Sequence, residues 1–385
     1  MKKFRFVTVV IFSLLSFRIV IAEQGQNKML FWSQTQKGAN VFNQHIYRID
    51  IKAAKNYKIS FIRLAPDKFL SKKRDFLIGD ADNYVQLIPE DLAALKKILD
   101  IYAEEQMPVV LTMLSLPGSR WKQNNNNKDD LRLWSNTKLQ EQAVKFWQDL
   151  ALELKNHPAI VGYNILNEPH PERIYDATGT HIYATNQEEV QKKLFDFYGS
   201  VIAAIRKVDK NTPIILDSSA YSDPKTFKCF KVHNDSNILY SFHMYEPYEY
   251  TNHKTNKGKF NYPGKIKNLY WDKKALKIYM QNVSEFQKIN NISNNRILVG
   301  EFGGYRSSGG LSRYFKDLID IFKEKKWHFA FYAFREDTWD GMDYELGNQK
   351  ITWIELQAIE KGQIPKLDRR TTYQQFKVLI DSLPN

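Results

Sequence analysis

The chain has 385 residues, 43% of them hydrophobic and 26% charged, with a formal net charge of +13. That length can bury a large core, enough for one α/β barrel with insertions or for two domains, and the ordinary apolar content excludes a wholly disordered chain. The basic residues are scattered, with no run longer than Lys72-Lys73-Arg74, so a solvated surface is expected and no nucleic-acid partner.

Taken from its start, the chain opens with Lys2, Lys3 and Arg5, then a largely apolar stretch from Phe6 to Phe17, then Val20-Ile21-Ala22 before Glu23. This pattern predicts a signal peptide over 1–22, a secreted or periplasmic protein, and one domain over 23–385. The uninterrupted apolar run is too short for a membrane span, so no stable membrane association is expected after signal removal. Cys229 is the only cysteine, which excludes an intrachain disulfide and leaves stability to the core. Three Asn-x-Ser sequons, at Asn234, Asn282 and Asn291, matter only in a host that glycosylates.

Short apolar runs bounded by turn residues fall at 38–42, 59–64, 108–113, 159–166, 213–217, 238–243, 296–301 and 328–334, and read as buried strands. Helical patterns lie between several of them. Pro89 can open one helix, with Leu92, Leu95, Leu99 and Tyr102 on one face. Leu139, Ala143, Phe146, Trp147, Leu150 and Leu154 form an apolar stripe at helical spacing, and 187–207 and 272–290 alternate in the same way. Eight strands with intervening helices predict a single-domain α/β fold, the (β/α)8 TIM barrel. Long loops follow three strands: 114–137 with Trp121 and Trp134, 244–271 ending in Tyr270-Trp271, and 335–369 with Trp339 and Trp353. In a barrel such loops build the active face. Aromatic rings that stack on sugars would explain part of the 14% aromatic content, and core filling the rest.

Two runs carry the chemistry. Ile160 to Leu166 leads into Asn167-Glu168-Pro169, and Arg296 to Gly300 leads into Glu301-Phe302-Gly303-Gly304. Each places a lone glutamate where a core strand gives way to a loop, the end of a barrel strand that hosts catalytic groups. Two carboxylates are the minimum equipment for cleaving a glycosidic bond, one as acid and one as nucleophile or base. Three strand–helix units between them would set the pair face to face across the barrel mouth, where a spacing of roughly 5 Å gives retention of configuration. For such a cycle Glu168 is expected to hold its proton more tightly than Glu301. No His-Glu-x-x-His helix, paired cysteines, phosphate-binding glycine loop or Gly-x-Ser-x-Gly elbow is present, so neither metal nor cofactor is expected.

On these residues the chain resembles glycoside hydrolase family 5, the cellulase-like barrels of the Glu–Glu retaining clan, over about residues 36–380. The resemblance implies that Glu168 is the proton donor and base and Glu301 the nucleophile. It implies that Arg63, in Phe61-Ile62-Arg63-Leu64, holds the nucleophile ionised, and that Asn167 bonds a sugar hydroxyl. From Ser241-Phe242-His243-Met244-Tyr245 it implies that Tyr245 bonds the nucleophile and His243 lines the sugar site. Two departures stand out. Leu114 falls where the family often has a histidine, and Phe331-Tyr332-Ala333-Phe334 lacks the usual tryptophan near strand eight, for which Trp339 can supply a ring. The expected activity is a retaining endo-β-1,4-glucanase, cellulase-like and monomeric, with a polysaccharide or oligosaccharide as its partner. β-Mannan, β-1,3-glucan, a glycolipid or transglycosylation remain open on the same site. The reading of another class is a carbohydrate-binding protein without activity.

Overall fold

The computed structural model describes residues 28–69, 74–175, 187–337, 340–348 and 370–382, with a few isolated positions between 352 and 363. The expected leader at 1–22, Trp339 and Trp353 lie outside the described residues.

Eight parallel strands close into a barrel: β1 (Lys37–Val41), β2 (Phe61–Leu64), β3 (Val109–Thr112), β4 (Ile160–Asn164), β5 (Ile214–Asp217), β6 (Ile238–Met244), β7 (Ile297–Phe302) and β8 (His328–Phe331). Each pairs with its neighbours in chain order, and β1 closes on β8 through Gly38 opposite Ala330. All eight sequence-read strands are present, with ends displaced by three residues or fewer. Every barrel-strand residue is buried, because helices cover the outer face and side chains fill the inner one.

The outer layer comprises α1 (Arg48–Asn56), α2 (Pro89–Glu104), α3 (Thr137–Leu154), α4 (Gln187–Val208), α5 (Lys273–Tyr279), α6 (Gln281–Asn290), α7 (Leu311–Lys325) and α8 (Gln374–Ile380). Pro89 opens α2, and Leu95, Leu99 and Tyr102 are buried while Leu92 is half-buried. Asn136 caps α3 by accepting from Leu139 N–H, and the six stripe residues read from the sequence are all buried. The β5–β6 connection carries only a four-residue turn, Ser219–Ser222, and a 3₁₀ turn, Pro224–Lys228. The loop after β6 holds a hairpin pairing Gly264–Ile266 with Leu269–Trp271.

The barrel interior is layered by the two-residue period of its strands. Phe61, Val110, Val161, Ile215, Leu239, Leu298 and Ala330 form one apolar cluster with Trp32, separate from the larger core between strands and helices. Trp32, from the 3₁₀ segment Lys28–Ser33, plugs the N-terminal end and donates its indole N–H to Val161 O at 3.0 Å. One step up, toward the C-terminal end, the interior becomes polar: Arg63, Thr112, Asn164, Asp217 and Ser241 each follow a residue of that cluster by two or three positions, and Asn40 of β1 joins them through Arg63. The plug therefore makes a dry floor, and the polar layer above it makes a site. No helix among the described residues is long and apolar enough to cross a membrane.

Candidate active site

Arg63 is the hub. It is fully buried and spends its guanidinium in several directions. Nη1 donates to Glu301 Oε1 at 2.8 Å and to Asn40 Oδ1 at 2.9 Å; Nη2 donates to Asn167 Oδ1 and Asn164 Oδ1, both at 2.7 Å; Nε donates to Asn164 Oδ1 at 2.9 Å. Glu301 sits inside β7, one residue before its end, and Tyr245 donates its hydroxyl to the other carboxylate oxygen at 2.7 Å. Both oxygens of Glu301 are thus held, by a charged donor and a neutral one.

Glu168 stands four residues beyond β4, and its φ of 52° lies in the left-handed region that a side chain rarely adopts. That backbone turn points its N–H at Asp217 Oδ2, 3.3 Å away, and its carboxylate at His243, whose Nδ1 lies 2.8 Å from Glu168 Oε1. Glu168 is partly open to solvent, whereas Glu301 and His243 are almost wholly buried. Ligand-type atoms of Glu168, His243 and Glu301 all lie within 4.8 Å of one another. Such a trio could be read as a metal cage, but the fixed positive charge of Arg63, bonded to Glu301 Oε1, opposes a cation beside it.

Burial raises Glu301 above the ordinary carboxylate range, with Glu168 adding to the rise and His243, Arg63 and the Tyr245 hydrogen bond opposing it. Desolvation outweighs these donors, although Arg63 and Tyr245 act on Glu301 in the expected direction, favouring its ionised form. Burial lowers His243, but Glu301, Asp217 and Glu168 outweigh it and hold the imidazole above its usual value.

The sequence-read residues Arg63, Asn167, Glu168, His243, Tyr245 and Glu301 come together in one site. The arrangement holds two carboxylates close together, one rigid and buried, one open and bonded to an imidazole, which suits displacement at a sugar carbon with proton transfer to the leaving oxygen. The description agrees with the match of residues 22–338 to the family model for Cellulase (glycosyl hydrolase family 5). The chain belongs to glycosyl hydrolase family 5.

This glycoside hydrolase is 26% identical to a β-xylosidase of Phanerodontia chrysosporium over 164 residues, which is 41% of this chain and 30% of that protein. It is 21% identical to Endoglucanase C of Acetivibrio thermocellus over 311 residues, covering 71% of this chain and 80% of the relative. Its fold is similar to Thermotoga maritima Cel5A solved with cellobiose, with a TM-score of 0.64, 15% identity, and coverage of 92% of this chain and all of that one.

The family 5 departures acquire a structural account. Leu114 packs with Phe42 and Ala65 against Trp121 and Tyr332, so an apolar wall stands where the family often has a histidine. Tyr332 follows β8 directly, lies edge-on to Phe42 at 5.3 Å, and feels the charges of Glu301 and Glu168. It is the ring at the strand-eight exit, and its place immediately after an apolar run was the available sign. Trp134 packs in the core against Phe197 instead of lining a site. Asn40, Thr112, Asn164 and Asp217 were not singled out in the sequence, although each is the lone polar residue near the end of an apolar run. Cys229 is exposed and lines a cavity of about 1100 Å³ beyond the ends of β5 and β6, together with Lys225, Glu246, Tyr270, Trp271 and Asn282.

Proposed function

We propose that this chain is a retaining endo-β-1,4-glucanase in which Glu301 is the nucleophile and Glu168 the acid and base. The observation that carries the reading is the closeness of the two carboxylates, whose oxygens approach within 4.8 Å. An inverting enzyme needs roughly 6.5–9.5 Å to admit water between the pair, and a retaining one about 5 Å. Glu301 attacks the anomeric carbon as Glu168 gives its proton to the leaving oxygen, forming a glycosyl-enzyme. Glu168 then removes a proton from the incoming water, whose oxygen displaces Glu301. Arg63 and Tyr245 hold the nucleophile in line, and Asn167, oriented by Arg63, faces the sugar hydroxyl beside the reacting carbon.

The glucan assignment draws on the endoglucanase relative and on the cellobiose-bound barrel. Action within a chain is drawn from the same endoglucanase relative. The basic, apolar and small-residue segments of 1–22 support export with removal of the leader, which N-terminal sequencing of exported protein tests.

The test is reducing-end release from soluble β-1,4-glucan, with Glu168→Gln and Glu301→Gln as controls and NMR of the first-formed anomer. Release of β-anomeric products, lost in both variants with folding intact, is the expected result. Initial α-anomers, or turnover by Glu301→Gln close to wild type, would overturn the mechanism. Binding of the glucan with no product would assign a carbohydrate-binding role instead.

A further inference from the structure

Asp217 ends β5 beneath the carboxylate pair, fully buried, and the catalytic cycle above does not use it. Its Oδ1 accepts from Asn164 Nδ2 at 3.1 Å. Its Oδ2 accepts from the Glu168 main-chain N–H at 3.3 Å and from Arg63 Nη2 at 3.4 Å. His243 Nε2 lies 3.5 Å from the same oxygen and makes no hydrogen bond of its own among the described residues. A buried carboxyl surrounded by donors, with a guanidinium against it, is placed as an acceptor.

We infer that Asp217 is a positioning residue for proton transfer: it holds His243 in its doubly protonated form and fixes the Glu168 backbone, so that the Glu168 carboxyl is aimed at the leaving oxygen. This rests on Glu168 being the acid and base.

The geometry allows one consistent proton inventory. His243 lies between carboxylates, with Nδ1 2.8 Å from Glu168 Oε1 and 3.8 Å from Glu301 Oε2, and Nε2 facing Asp217. With both ring nitrogens protonated, Nδ1–H donates to Glu168 Oε1, which leaves the proton of Glu168 on Oε2, toward substrate. Arg63 and His243 are then positive, Asp217 and Glu301 negative, and Glu168 neutral, so the buried site balances. Other titratable groups facing it are the hydroxyls of Tyr245 beyond β6, Tyr332 beyond β8, Tyr198 on α4, which donates to Asp217 O, and Tyr221 beyond β5, all raised chiefly by burial, and His170, whose ring lies 2.8 Å from Glu168 O and is lowered by burial. When Glu301 becomes an ester its charge disappears, and in the same step the proton of Glu168 leaves on the departing oxygen, so the Glu168 carboxylate takes over the balancing negative charge and is ready as the base for water. Without Asp217 the resting site carries one excess positive charge, and the hydrogen-bonded Glu168–His243 pair gives up a proton too early. The Asp217 contact to Glu168 N–H also holds the left-handed turn that orients the carboxyl.

The test is Asp217→Asn, assayed on a pair of aryl β-cellobiosides and by NMR of the His243 ring. A 2,4-dinitrophenyl leaving group departs without a proton, whereas a poor leaving group needs one. The expected loss in kcat/KM is about 10- to 100-fold greater for the poor leaving group. The alkaline limb of its pH profile moves acidward by at least about one unit, since a buried negative charge has been removed. The His243 ring, doubly protonated in the wild type at pH 7, titrates at lower pH in the variant. Equal losses on both substrates would show a merely structural role and overturn the inference, as would unchanged His243 titration. A neutral His243 in the wild type at pH 7 would overturn it without any variant. If wild type cleaves neither cellobioside but the His243 shift is present, the positioning role stands and the glucan reading fails.

Discussion

Replacing Arg63 by lysine keeps the charge and removes the fork, which makes it a direct test of how the site is held. In the wild type Asn40 Oδ1, Asn167 Oδ1 and Glu301 Oε1 each take a hydrogen bond from Arg63 at 2.9 Å or less, in divergent directions. Asn164 Oδ1 has a second donor in Thr112 Oγ1 at 2.9 Å and is less dependent. A single ammonium cannot reach all three dependent acceptors, so about two lose their donor. An orphan in the fully buried Asn40 costs about 1–3 kcal/mol of folding stability, while the half-buried Asn167 can turn to water. If the ammonium stays with Glu301 by charge, Asn40 and Asn167 are the orphans. The acid limb of kcat/KM then stays in place while kcat falls as the sugar contact of Asn167 loosens. Arg63→Met, which lacks the charge, instead moves the acid limb to higher pH, because Glu301 loses a group that opposes its protonation. Urea denaturation at pH 7 gives the first quantity and pH-resolved kinetics the second. A lysine variant within about 0.5 kcal/mol of wild type, a typical scatter for neutral surface changes, with unchanged kcat, would refute the hub role.

Other perturbations give separate readouts. A Cβ added at Gly300 meets Ser241 Oγ at 2.7 Å and His243 Nε2 at 3.0 Å, so Gly300→Ala displaces the imidazole and should lower kcat by more than about 10-fold, with less effect on KM; normal kcat would show that the ring has room. Gly199 lies within α4, where a Cβ comes no closer than 3.5 Å, to His233 Cε1, so Gly199→Ala should add about 0.5–1 kcal/mol of stability, read from the urea midpoint, and no gain would contradict the open packing. Burial raises Glu301 above 4.5, so activity is lost on acidification at a pH above that value. The unfolded chain ionises this residue first, so its contribution to stability falls as pH rises through the raised value. Glu301→Gln removes that contribution, and its Tm at pH 7 should equal or exceed wild type while activity is abolished; a clearly lower Tm would mean the ionised pair stabilises the fold.

Much of this site was readable along the chain, and for a definite reason. The barrel strands are buried on both faces, so each is a short apolar run with sharp ends, and a charged residue at such an end is conspicuous. Glu168 and Glu301 were found on that basis, and Arg63, His243 and Tyr245 through their resemblance to the family pattern. Asn40, Thr112 and Asn164 were passed over because a neutral amide or a hydroxyl at a strand end has no distinctive signal alone, and Asp217 was overlooked although an acid ending the apolar run 213–217 carries that signal. Their meaning appears only when eight strands bring them into one layer around the Arg63 guanidinium.

The two-residue alternation within each strand already separates what faces the helices from what faces the barrel axis, and turn residues already mark where strands stop. Those are local properties of the backbone, so composition and spacing along the chain determine them. Which charges end up sharing a proton is not local. Glu301 above the usual carboxylate range, His243 between Glu168 and Asp217, and Tyr332 in place of a tryptophan all depend on barrel closure. Closure removes water from groups far apart in sequence and makes their fields act on one another.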